Sequence, residues 1–100
     1  MAILHDELDF EWDEAKAAAN LAKHGIGFVL ARRLFRVSDC VEFEVSRPAD
    51  GERRCKRVGP LDGSLLTVVF TLRLGVLRLI SARRANGVEE KRYADREKPA

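Results

Sequence analysis

Hydrophobic and polar positions change their period twice along the chain. From Asp13 to His24, alanines at 15, 18, 19 and 22 recur at about the 3.6-residue spacing of one helical face. Asp13 can accept hydrogen bonds from the free N–H groups of a first turn, and Glu14 suits the positive end of the helix dipole. Gly25 supplies the left-handed residue that stops a helix. The pattern predicts a helix over 13–24 with a small, flat apolar face. Lys16, Asn20, Lys23 and His24 stand at i, i+4, i+7 and i+8, which gathers them within about 100° of arc on the opposite face. A shorter helix is predicted over 28–36, with Phe28, Ala31, Leu34 and Phe35 inward and Arg32, Arg33 and Arg36 outward.

After residue 38 the period falls to two. Val41, Phe43 and Val45 alternate with Glu42, Glu44 and Ser46, a strand with one wet face. Asp50-Gly51 is a hairpin signal, and Arg53, Cys55 and Arg57 then alternate with Arg54, Lys56 and Val58. A turn at Asp62-Gly63 leads into SLLTVVFTL, nearly apolar throughout and rich in β-branched residues, hence a central strand. Beyond Leu74-Gly75, VLRLISARR is its hairpin partner. Strict alternation there puts Val76, Arg78, Ile80, Ala82 and Arg84 on one face and Leu77, Leu79, Ser81 and Arg83 on the other. Arg83 and Arg84 therefore point opposite ways unless a bulge intervenes, and one of them is expected to pair with Glu89 or Glu90. A helical stretch follows from Gly87, and the tail from about residue 97 is expected to fray. Two helices, four antiparallel strands and a C-terminal helix make an α+β, two-layer architecture, read as one domain over residues 1–100.

Composition narrows the class. With 46% hydrophobic and 34% charged residues, the chain is that of a globular domain rather than a disordered tail. Its apolar runs fall short of the roughly 20 residues that cross a bilayer. The opening MAILHDELDF has acids where a secretory signal would have a basic region, so a cytoplasmic location is expected. Cys40 and Cys55 form no CxxC pair and lack the histidine spacing of a zinc site; they read as small core or sheet residues.

The net charge of +2 conceals an uneven distribution. Residues 1–15 hold six acids and no lysine or arginine, whereas residues 53–84 hold eight basic residues and a single acid, Asp62. A cationic half of this kind is the footprint of a surface that meets phosphate, or simply of strands that solvate their outer face with arginine.

Arginine stays charged and grips phosphate bidentately, so Arg54, Arg73, Arg78, Arg83 and Arg84, in or beside three consecutive strands, could form one patch that stabilises a phosphoryl transition state. RNA is cleaved without metal when one group takes the 2′-hydroxyl proton, cations stabilise the phosphorane and an acid protonates the leaving oxygen. His24 is a candidate for proton transfer, with Glu52 or Glu89 as its counterpart. Tyr93, one turn after Glu89, could stack on a base or donate a proton, or could serve as packing at a sheet edge. The chain has no glycine-rich phosphate loop, HExxH, GxSxG or acid cluster for a divalent metal.

FEWDEAKAAANLAKHGIGF, GERR, VVFTLR and ISARRANGVEEKRY, taken in order, resemble the BrnT family of toxins from bacterial type II toxin–antitoxin systems. The resemblance runs from about Phe10 to Tyr93, and KHG and ISARRA are its most distinctive blocks. Ile26–Leu30 depart from the polar, acidic opening that often follows KHG in that family. The resemblance implies a RelE-like fold and a metal-independent endoribonuclease, without cofactor, that halts translation. It also implies neutralisation by a BrnA-like antitoxin, in a heterotetramer that binds operator DNA through the antitoxin. Carried over residue by residue, it points to His24, Arg54, Arg73, Arg83, Arg84, Glu89 and Tyr93 as catalytic candidates and to Lys16, Asn20 and Lys23 as RNA contacts. Glu52 also matches, while Asp13, Gly25 and Phe28 serve the fold. The alternative is a non-catalytic basic binding module, or a degenerate toxin that only binds its antitoxin or nucleic acid.

Overall fold

The computed structural model describes residues 9–96. Among them the chain forms β1 (Asp9–Glu11), α1 (Glu14–His24), α2 (Phe28–Ala31), β2 (Val41–Glu44), β3 (Cys55–Leu61), β4 (Ser64–Arg73), β5 (Val76–Arg84) and α3 (Gly87–Ala94). Short 3-10 turns lie at Arg32–Arg36 and Pro48–Asp50. The expected fraying from residue 97 falls outside the described residues.

All five strands belong to one sheet, ordered β1-β5-β4-β3-β2. β2 to β5 are antiparallel neighbours as the alternation predicts, but β1 runs parallel to β5, with Asp9 opposite Val76 and Glu11 opposite Arg78. The expected four-stranded antiparallel sheet is thus corrected to a five-stranded mixed one. Three residues, two of them acidic, are too few to show a period. What anchors them is Phe10, whose ring meets Phe35 edge-on at 5.3 Å. Both β-hairpin turns have positive φ at each central residue, 50° and 81° at Asp62-Gly63 and 51° and 80° at Leu74-Gly75. That geometry matches the right-handed twist of the flanking strands.

The first helix forms as its end signals indicate. Asp13 accepts from the Lys16 N–H at 2.9 Å, and Gly25 closes the helix at φ 72°. Its inward side is not the expected alanine stripe but the one that carries Ala17 and Asn20. Ala15, Ala18, Ala19 and Ala22 are exposed, and Asn20 is the buried residue of the helix. An alanine stripe gains little from burial, whereas the Asn20 amide satisfies three backbone groups: it donates to Ile26 O at 3.0 Å and Ala82 O at 2.8 Å, and accepts from Ala82 N at 3.1 Å.

The predicted helix over 28–36 is also corrected, since the α-helical part ends at Ala31 and gives way to the 3-10 turn. Its inward residues are as expected, with Phe28, Ala31, Leu34 and Phe35 all buried. The carbonyls of Leu34 and Val37 turn to the guanidinium of Arg57, which donates to them at 3.0 and 2.6 Å and to Glu42 at 2.5 Å. Arg57 is fully buried, so this strand arginine is a keystone of the helical layer rather than part of a wet face.

The core lies between this layer and one face of the sheet, built from Phe28, Leu34 and Phe35 against Leu66, Val68, Phe70, Leu77, Leu79 and Ala82. Strict alternation does not put Leu79 and Ala82 on one face. A bulge does: Val69 pairs with Ser81 and Phe70 with Leu79, leaving Ile80 as the extra residue. Arg78 and Arg83, assigned to opposite faces by simple alternation, consequently share the face turned away from the core. α3 crosses only part of that face, over β3 and the end of β5.

Candidate nucleic-acid interface

Cross-strand partners share a face, so the pairing register arranges the side chains of the outer face in rows. The first is Val41, Val58, Thr67 and Arg83; the second is Phe43, Lys56, Val69 and Ser81; the third joins Thr71, Arg78 and Glu11. Arg54 lies two residues before Lys56, and Arg73 two residues after Thr71. Five cations therefore decorate this face, against Glu11, Glu52 and Glu89.

α3 covers the first row. Its capping box, formed by Asn86 and Glu89, points the Glu89 carboxylate down onto the sheet. There it accepts from Arg83 Nη1 and Nη2 at 2.6 and 2.7 Å, from Lys56 Nζ at 2.7 Å, from Thr67 Oγ1 at 2.9 Å and from the Asn86 N–H at 2.9 Å. Glu89 is 1% exposed. Burial alone would push its pKa up, but the donors, Arg83 and Lys56 foremost, override it and hold the carboxyl well below the usual range. A carboxylate so saturated is a poor proton carrier. Its chemistry here is to fix two cations and the start of α3.

At the other end of the sheet, Glu52 accepts from Arg73 Nη2 at 2.6 Å and lies 3.5 Å from Arg54 Nε. The Arg73 hydrogen bond holds the Glu52 carboxyl below its ordinary pKa. Arg78 lies 3.4 Å from Glu11.

Arg84 points the other way. With His24, Gly25, Ile26, Leu30, Leu61, Asp62, Ser64 and Leu66 it lines an open cleft of about 310 Å³ between the end of α1 and the ends of β4 and β5. The bond between Asn20 and Ala82 docks α1 on β5, and His24 is one turn beyond Asn20, so the imidazole lines the same cleft as Arg84. Among the described residues the Arg84 guanidinium makes no ion pair or hydrogen bond.

The candidates from sequence thus divide. His24 and Arg84 converge in the cleft; Arg83 and Glu89 converge under α3; Arg54 and Arg73 share Glu52. The sheet partner of Arg84, Leu66, lies seven residues before Arg73 on β4, a span of about 23 Å. Tyr93, one turn beyond Glu89 on α3, is engaged elsewhere: its hydroxyl donates to Asp39 Oδ2 at 2.9 Å while Arg96 stacks on its ring at 3.6 Å and bonds the same carboxylate at 2.8 Å. Burial and the Asp39 bond raise its pKa, and the arrangement locks α3 to the loop before β2. Lys16 and Lys23 are exposed on α1, whereas Asn20 is turned into the fold. Lys56 and Thr67 escaped the sequence reading, although alternation alone puts Lys56 on the same face as Arg54. Among the described residues, no three His, Cys, Asp or Glu side chains are grouped to hold a metal.

Residues 12–89 match the family model described as ribonuclease toxin, BrnT, of type II toxin-antitoxin system. The chain belongs to the BrnT toxin family. The match spans α1, all four antiparallel strands and the start of α3, so it takes in His24, Arg84 and the Arg83–Glu89 cluster but ends before Tyr93. Among curated proteins, none matches the chain significantly. A BrnT toxin is a ribonuclease with an antitoxin protein as its partner, so RNA is the substrate class against which these cationic groups are read. No helix among the described residues is long and apolar enough to cross a membrane.

Proposed function

We propose that this BrnT toxin is a metal-independent endoribonuclease whose reacting phosphate sits in the cleft between His24 and Arg84. His24 takes the proton from the 2′-hydroxyl, because the unprotonated ring nitrogen of an imidazole is an acceptor. The 2′-oxygen attacks phosphorus, the bond to the 5′-oxygen breaks, and that oxygen takes a proton from water. The products are a 2′,3′-cyclic phosphate and a 5′-hydroxyl. Arg84 stabilises the charge that builds on the non-bridging oxygens. The single observation that carries this reading is a guanidinium with no partner among the described residues, in an open cleft that an imidazole also lines. Arg83, already gripped by Glu89, is a positioning residue for the RNA path, and Lys16, Lys23, Arg54 and Arg73 contribute backbone contacts. Asn20, Glu89 and Tyr93 support these groups rather than touch the substrate.

The biological consequence is arrest of translation in the cytoplasm, relieved by a BrnA-like antitoxin. The complex is a heterotetramer that binds operator DNA through the antitoxin, since a two-fold DNA-binding partner brings two toxin copies with it. A second reading, a non-catalytic binding module or degenerate toxin, draws on the pairing of every outer-face cation with Glu11, Glu52 or Glu89. Turnover separates the two. Purified protein should cut a defined naked RNA in EDTA, and Arg84→Ala and His24→Ala should each slow that cutting by about a hundredfold or more. A folded wild-type protein that binds RNA without cutting it, alone or with translating ribosomes, would establish the second reading.

A further inference from the structure

The second row of the outer face is the part of the sheet left open beside α3. Phe43, Lys56, Val69 and Ser81 follow one another across four strands, and the bulge brings Ile80 to the same side. All five are half-buried, in contrast to Val58 and Thr67 beneath α3, which are fully buried. Arg92, projecting from α3, lays its guanidinium over the Phe43 ring at 3.9 Å. One end of the row is therefore a flat, layered cation and ring. The middle is apolar, and the Ser81 hydroxyl, the Lys56 amine and Arg78 in the next row supply polar edges.

We propose that this row is a subsite for two successive bases of single-stranded RNA flanking the scissile bond. It rests on the ribonuclease reading above. One base stacks on the exposed plane of Arg92, which Phe43 backs, and the next, about 14 Å across three strand spacings at the far end of the row, lies over Val69 and Ile80. Ser81 hydrogen-bonds its edge. Arg78, 3.4 Å from Glu11, takes the adjoining phosphate. A duplex does not enter, because its bases have no free faces to offer. From Ser81 the chain needs only three more residues to reach Arg84, about 10 Å, which is within the reach of two nucleotides. The subsite and the cleft can thus be spanned by one short strand passing the end of β5.

The test is steady-state cleavage and anisotropy binding of a short fluorescein-labelled single-stranded RNA by the full chain. Arg92→Ala and Phe43→Leu are compared with Arg36→Ala, which removes an exposed arginine elsewhere on the surface. The two subsite variants should raise KM and Kd about tenfold at nearly unchanged kcat, and Arg36→Ala should change both less than twofold. Thermal melts confirm folding, and Arg92→Lys, which keeps the charge without the plane, should behave as Arg92→Ala. Cleavage with wild-type KM in both subsite variants would overturn the subsite and leave the ribonuclease reading intact. An equal loss in Arg36→Ala, full rescue by Arg92→Lys, or equal affinity for duplex RNA would overturn base stacking in favour of plain charge. A wild-type protein that neither binds nor cuts RNA would remove both readings together.

Discussion

Arg83 holds both carboxylate oxygens of Glu89, at 2.6 and 2.7 Å, across the interface between β5 and α3. Neighbouring residues of one strand have thereby been given different work: Arg83 fastens a helix and Arg84 faces an open cleft. Because Glu89 also receives Lys56, Thr67 and the Asn86 N–H, its removal strands several partly buried donors at once. Glu89→Gln should cost about 3 kcal/mol of stability, read by urea denaturation, since breaking one side of a buried pair leaves the other uncompensated. Wild-type stability in that variant would show that the cluster is bypassed by solvent.

The same carboxylate makes stability depend on acid. Its folded pKa lies below that of a glutamate in the unfolded chain, ordinarily about 4.3. Its contribution is thus complete above about pH 5 and is lost as pH falls through the folded value, because the unfolded chain takes up a proton that the folded state refuses. The wild-type urea midpoint should fall steadily below about pH 4. Glu89→Gln should have a flatter acid limb, retaining only the slope from exposed pairs such as Glu52 with Arg73 and Asp39 with Arg96.

Asn20 and Lys23 share a predicted face but should behave in opposite ways. Asn20→Ala leaves the amide and carbonyl of Ala82 and the carbonyl of Ile26 without their partner. It should cost about 2 kcal/mol in denaturation and reduce cleavage indirectly, through a displaced His24. Lys23→Ala should leave stability unchanged, weaken RNA binding modestly and lower the salt dependence of the affinity by about one counterion. Equal effects of the two substitutions on stability would refute the division.

Gly59 is buried beside Cys40, and a methyl group there would overlap the Cys40 Sγ, with the backbone oxygen of Asp39 only 3.3 Å away. Gly59→Ala should therefore destabilise by about 1–3 kcal/mol, as overpacking does. Combining it with Cys40→Ala should recover part of that loss in a double-mutant cycle, because the sulfur is the nearest obstacle. Additive effects would place the strain in the backbone instead.

Much of the fold was legible where local chemistry decides it. Asp13, Gly25 and the two positive-φ turns have short-range signatures, and all form as expected. The facing of α1 did not follow, because four alanines carry a helical period with almost no burial energy, whereas one asparagine with three backbone bonds outweighs them. β5 was misphased for a related reason: no local signal marks Ile80 as the extra residue, and only the packing of Leu79 and Ala82 against the helical layer demands it. The site suffered from the same blindness to distance. Arg54, Arg73, Arg83 and Arg84 lie in or beside the strands as expected, but their division into groups, and the placing of His24 with one of them, depends on register and on which acid each one meets.

The Asn20 amide has a further consequence outside this molecule. β1 pairs only with Val76, Leu77 and Arg78, so the later part of β5 would otherwise present an unsatisfied strand edge to solvent. By occupying both backbone groups of Ala82, a single side chain stands where another strand would dock. A chain that lost it would offer a template for cross-strand addition between copies, and its first symptom would be aggregation during expression.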